Sequence, residues 1–72
     1  MRNLRRLTYA ANRMQAWEDW RALADEAAQM GYAYTAPDAN ATTRQIDKAI
    51  GELRQTLQAA DPAWSFTLPS AR

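Results

Sequence analysis

The chain contains no cysteine and no histidine among its 72 residues. Without cysteine it has no disulfide bond, no thiol nucleophile and no thiolate ligand for zinc. Without histidine it also lacks the usual general base at neutral pH and the commonest metal ligand. We therefore expect a non-catalytic protein that binds no metal and no cofactor.

Glycine and long apolar runs are also scarce. With only two glycines, the chain has no glycine-rich loop that could hold a phosphate group. No continuous apolar run is long enough for a membrane span or a secretory signal, so we expect a protein of the cytoplasm.

Carboxylate pairs are the remaining candidates for catalysis, but Glu18–Asp19 and Asp25–Glu26 are neighbours only in sequence. Neighbours on a helix do not face each other. We interpret these acids as solvated surface charges. The protein is not expected to be an enzyme or to bind a small-molecule substrate.

The length of the chain indicates a single small domain spanning residues 1–72. A chain of this size buries only about 60% of its unfolded surface, so its stability is marginal without further support. Because disulfides and metals are excluded, association with another chain is the remaining source of added stability. We therefore expect a homodimer, a complex with another protein, or both.

The first predicted helix runs from about residue 3 to residue 30, between an N-cap at Asn3 and a stop at Gly31. Its apolar residues change sides halfway along the helix. The first stripe is Leu4, Leu7, Ala11 and Met14, and the second is Trp17, Trp20, Ala24 and Ala27. A break between Met14 and Trp17 stays open as an alternative to one continuous helix. A helix with two apolar faces indicates a partner that covers the surplus face.

A loop over residues 31–41 leads to a second predicted helix at about 42–60. Thr42 and Gln45 have the spacing of a capping box at its start. Apolar residues then follow a heptad seam, which is typical of helix packing. The seam is Ile46, Ile50, Leu53, Leu57, Ala60 and Trp64.

The tail, residues 61–72, alternates Trp64, Phe66 and Leu68 with small polar residues, which predicts an extended segment. It could cover the two helices or dock on another chain. The predicted fold is all-α: an antiparallel two-helix hairpin with this tail, completed by dimerisation.

Charge is distributed unevenly, although the net charge is only +1. Residues 1–17 contain four arginines and no acid, whereas residues 18–38 contain five acids against Arg21 alone. The helix macrodipole favours the opposite arrangement. Either an antiparallel copy sets the basic end against the acidic part, or the arginines face an anionic partner.

Aromatic and arginine side chains in this helix form the predicted partner-binding site, since Trp, Tyr and Arg dominate interface hot spots. The set is Tyr9, Arg13, Trp17, Trp20 and Arg21. The two tryptophans have a second interpretation as core residues. The predicted function is a protein–protein interaction module, a small homodimeric regulator or inhibitor of the phage or mobile-element type.

Nucleic-acid binding is the alternative function. Arginines interleaved with aromatic residues can hold phosphates and stack on bases. The candidate residues are Arg2, Arg5, Arg6 and Arg13, with Tyr9 on the same side of the helix. Four arginines are few for tight binding, and the domain is nearly neutral.

Overall fold

The computed structural model describes the backbone of residues 2–71 and the side chains of residues 8–71. It contains two α-helices, α1 (Arg2–Gln29) and α2 (Thr43–Ala60), and a short 3-10 helix, Pro69–Ala71. Residues 2–71 include no β-strand. The predicted all-α architecture with two helices is confirmed.

α1 is one continuous helix of 28 residues. At 1.5 Å per residue its length is about 42 Å, close to the longest dimension of the molecule, 46 Å. Because α1 is continuous, the alternative of a break between Met14 and Trp17 is wrong. No glycine or proline interrupts the helix there.

The end of α1 is closed by a Schellman motif at Gly31, whose φ angle is 82°. The backbone N–H of Tyr32 donates to the carbonyl of Ala27 at 2.9 Å, and that of Gly31 to Ala28 at 3.1 Å. The chain turns away from the helix here, as the sequence predicts.

α2 begins with the predicted capping box. The backbone N–H of Gln45 donates to the Thr42 hydroxyl at 3.2 Å, and that of Thr42 to the Gln45 side chain at 2.8 Å. The apolar seam is buried at five of its six predicted positions: Ile46, Ile50, Leu53, Leu57 and Trp64. The sixth, Ala60, is exposed because it lies in the last turn of α2, beyond the packed part of the helix.

α2 runs in the same direction as α1, which corrects the predicted antiparallel arrangement. Arg13 donates hydrogen bonds to the carbonyls of Ala39 and Ala41, immediately before α2 begins. Trp64, just after α2 ends, donates to Glu26 near the end of α1. Both ends of α2 are thus placed beside the corresponding ends of the packed part of α1.

The long connection between the helices permits this direction. The stretch of α1 from Arg13 to Gln29, sixteen helical steps, covers about 24 Å. Residues 30–42 reach farther than this at about 3.3 Å per extended residue. The prediction assumed a local reversal, whereas the chain returns along α1 before it starts α2.

The core lies between the two helices and is closed on both flanks by the irregular segments. Tyr34 of the connection makes an edge-to-face contact with Trp20, with ring centroids 5.7 Å apart. In the tail, Phe66 and Leu68 are partly buried against the core. The α1 side of the core consists of Ala16, Trp20, Leu23, Ala24 and Ala27.

In the described part of the chain, neither helix combines the length and the apolar character that crossing a membrane requires.

Candidate interaction surface on the first helix

α1 extends beyond the body of the protein at its N-terminal end. The start of α2 lies beside Arg13, so the preceding residues of α1 have no neighbouring turn of α2. Residues 8–12 are all exposed. We call residues 2–12 of α1 the projecting segment. Tyr9 is 52% exposed there, and Met14 at its base is 65% exposed.

The change of apolar face predicted for α1 is present in the structure. Trp20, Ala24 and Ala27 of the second stripe are buried against α2. Ala11 and Met14 of the first stripe are exposed, and helical geometry places them on the opposite side of α1. The side chains of Leu4 and Leu7 lie outside the described residues. The second stripe is therefore packed within the chain, and the described part of the first stripe is exposed to solvent.

A groove of about 480 Å³ adjoins the base of the projecting segment. Trp17 is partly buried in its wall, and Glu18 and Arg21 are exposed at its edge. Its lining residues are Met14, Trp17, Glu18, Trp20, Arg21 and Ala39. We call it the Trp17 groove. It combines an apolar surface with charges of both signs, a composition suited to a protein contact.

The structure places the predicted partner-binding residues in different environments. Tyr9 and Arg21 are exposed and Trp17 is partly exposed, so all three are accessible at the surface. Trp20 is only 5% exposed. It is a core residue, with one part of its surface at the edge of the Trp17 groove.

Arg13 holds the connection against α1. Its Nε donates to the Ala41 carbonyl at 3.0 Å and its Nη2 to the Ala39 carbonyl at 2.8 Å. The guanidinium therefore fixes the place where the chain enters α2. The side chains of Arg2, Arg5 and Arg6 lie outside the described residues, so their suggested role at phosphates stays a prediction.

Asp19 is a buried structural residue, which its sequence context alone does not predict. The sequence predicts a solvated charge at this position, but Asp19 is only 7% exposed. Its carboxylate accepts hydrogen bonds from the backbone N–H and the hydroxyl of Ser70. Its position was a usable signal, because Ala16 and Leu23, three residues before and four after, are both buried.

Glu26 is also partly buried, and it accepts a hydrogen bond from the indole N–H of Trp64 at 3.3 Å. Glu18 and Asp25 are exposed as predicted. Among the described residues, no three acidic, histidine or cysteine side chains come together in a way that could hold a metal ion.

No protein-family model, curated protein or solved structure matches this chain.

Proposed function

We propose that this protein is a non-catalytic protein–protein interaction module, a small homodimeric regulator or inhibitor that binds another macromolecule. Phages and mobile elements encode regulators of this kind. The observation that carries the proposal is the projecting segment, where α1 continues past its own core with Tyr9 and, at its base, Met14 exposed.

The energetics of the projecting segment favour a partner. An isolated helix of about 12 residues is marginal in water, and most helical stability in proteins comes from packing. The first turn of α1 contains no acid that would complement the helix dipole. A partner packed along the segment would cover residues 8–12, which are exposed in the structure.

The proposed contacts are Tyr9 within this segment and three residues at or beyond its base: Met14, Trp17 and Arg21. Two are large apolar or aromatic side chains with more than half of their surface exposed. Trp20 and Arg13 support the surface indirectly, since Trp20 packs in the core and Arg13 holds the connection.

Nucleic-acid binding is the competing proposal, supported by the four arginines and the lack of acids in residues 1–17. Phosphate contacts need free cationic donors. Arg13 already donates to two backbone carbonyls. Arg2, Arg5 and Arg6 would have to provide the binding energy.

The experiment that separates the two is light scattering on a size-exclusion column at moderate salt, with absorbance recorded at two wavelengths. A mass of twice 8.2 kDa with the spectrum of a protein is expected. Nucleic-acid absorbance that high salt removes would favour the competing proposal. A mass of one chain without nucleic acid would contradict the homodimer.

A further inference from the structure

We propose that residues 65–71, the part of the tail that follows Trp64, form a strap that opens and closes as a unit while the two helices stay folded. The two hydrogen bonds from Ser70 to Asp19 are its latch. The movement takes place within one chain, so it does not rest on the proposed homodimer.

The tail is fixed to the helices as far as Trp64. This residue belongs to the core, with 9% of its surface exposed, and its indole N–H donates to Glu26 of α1. Its backbone N–H donates to the carbonyl of Asp61 at 2.9 Å. The Asp61 side chain accepts from the N–H of Ala63 at 3.1 Å. These bonds close a turn directly after α2, so the hinge of the strap lies after Trp64.

The strap itself has fewer attachments. None of its residues is fully buried, and three are partly buried: Phe66, Leu68 and Pro69. Phe66 stacks on Trp64, with ring centroids 6.1 Å apart. This ring contact lies within the tail and does not involve the helices.

Hydrogen bonds join the strap to the helices at one residue only. In the part of the chain that the structure describes, residues 65–67 make no hydrogen bond, and the N–H of Ala71 donates to the carbonyl of Leu68 within the strap. The two bonds from Ser70 are the remaining ones. The closed position of the strap therefore depends on a latch at the end far from the hinge.

Water competes with this latch for its acceptor. Asp19 is only 7% exposed, and burying a carboxylate costs part of its hydration free energy. When the strap opens, Asp19 loses the two donors of Ser70 and regains water. Because these changes oppose each other, the net stability of the latch is smaller than the strength of its bonds. Opening at the strap should therefore require less free energy than unfolding of the whole domain.

Opening changes access to a polar pocket of about 290 Å³ between α1, the first turns of α2 and the strap. Asp19 and Asp47 line it from the two helices, and Ser70 lines it from the strap. With the latch open, the wall at Ser70 is removed and the carboxylate of Asp19 faces water. The strap thus controls whether Asp19 is available to another hydrogen-bond donor.

Native-state hydrogen exchange of the full chain, followed by NMR at a series of low urea concentrations, tests this movement. Local opening exposes little surface, so exchange through it depends weakly on urea, whereas exchange through global unfolding rises with urea. The backbone N–H of Ser70 reports the latch, because it donates to Asp19. The backbone N–H groups of Leu53 and Leu57, buried residues of α2, report global unfolding.

We expect the Ser70 amide to be protected but to exchange at least about tenfold faster than those of Leu53 and Leu57, after correction for intrinsic rates. Its exchange should not depend on urea. The amide of Trp64, before the hinge, should follow the α2 amides. The amide of Ser65, which is exposed and has no hydrogen-bond partner among the described residues, serves as the unprotected control.

Three results would contradict the strap. Equal protection and equal urea dependence at Ser70 and Leu57 would mean that the tail opens only when the whole protein unfolds. An unprotected Ser70 amide would mean that the strap has no closed state. Urea-independent exchange at Trp64, as fast as at Ser70, would refute a hinge after Trp64.

A substitution at the latch gives a second test, because alanine at position 70 keeps the reporting N–H. Ser70→Ala removes one of the two bonds and should raise exchange at position 70 about tenfold. Ser65→Ala, at an exposed position of the same strap, should leave exchange at Ser70 unchanged. Equal effects of the two substitutions on that amide would show that the Ser70 hydroxyl is not part of a latch.

Discussion

Ser70 donates two hydrogen bonds to Asp19, from its backbone N–H at 3.0 Å and from its hydroxyl at 2.6 Å. The pair joins the end of the tail to the middle of α1. Because Asp19 is nearly buried, these bonds replace the water that its carboxylate loses on folding.

Removing the hydroxyl of Ser70 should weaken this attachment. Ser70→Ala is expected to lower the free energy of unfolding by about 1–2 kcal/mol, because a buried charged acceptor loses one donor. Urea denaturation followed by circular dichroism measures the change. The matched control is Ser65→Ala, at an exposed tail position, which should stay within about 0.5 kcal/mol. Equal effects of the two substitutions would contradict a specific role for Ser70.

Replacing Arg13 with lysine should destabilise the protein although the positive charge remains. Lysine cannot reproduce the fork of donors that reaches the carbonyls of Ala39 and Ala41. We expect a loss of about 1 kcal/mol in the free energy of unfolding. Arg21→Lys, at an exposed position, is the control and should have little effect. If Arg13→Lys had equally little effect on the free energy of unfolding, Arg13 would not anchor the connection.

Two adjacent threonines at the start of α2 should respond in opposite ways to the same substitution. Thr42→Val removes the N-cap oxygen and should cost about 1 kcal/mol. The hydroxyl of Thr43 is buried and has no hydrogen-bond partner among the described residues. Thr43→Val should therefore be neutral or stabilising. Thermal melting of both variants checks the prediction, which a larger loss for Thr43→Val would refute.

Alanine substitutions at the two glycines should change the stability of the protein in opposite directions. A Cβ atom at Gly51 of α2 would meet nothing within 4 Å, so Gly51→Ala should stabilise the protein by about 1 kcal/mol through helix propensity. Gly31 has a φ of +82°, where alanine is strained, so Gly31→Ala should destabilise it. Melting temperatures that change in the same direction for both variants would contradict this assignment.

Substitutions at Trp20 and Met14 should have different effects, the first on folding and the second on association. Trp20→Ala removes a buried core residue and should cost about 3–5 kcal/mol, enough to unfold a marginal domain. Met14→Ser changes an exposed side chain and should preserve the helical circular dichroism spectrum while shifting the native mass from two chains toward one. A Met14→Ser variant that keeps the native mass of two chains would exclude Met14 from the dimer contact.

Local features of the fold were predicted accurately. The capping box of Thr42 and Gln45 and the stop at Gly31 are present as expected. Each depends on hydrogen bonds between residues a few positions apart, which the order of side chains along the chain specifies. The change of apolar face in α1 was also predictable, because helical periodicity relates residues only a few positions apart.

Features that depend on distant residues were not predicted. The direction of α2 is set by the path of the connection and by Arg13, whose bond to Ala41 spans 28 positions. The burial of Asp19 depends on Ser70, 51 positions away. Several chain paths are compatible with the local sequence in each case.

The sequence by itself determined where α1 ends, where α2 begins and which residues of α2 are buried, because helix caps and apolar periodicity act over one or two turns. The predicted N-cap, Asn3, is wrong, because α1 already begins at Arg2. Only the tertiary structure decided which stripe of α1 the chain covers for itself. The long connection returns along α1 and starts α2 beside Arg13, so the second stripe becomes core while Ala11 and Met14 stay exposed.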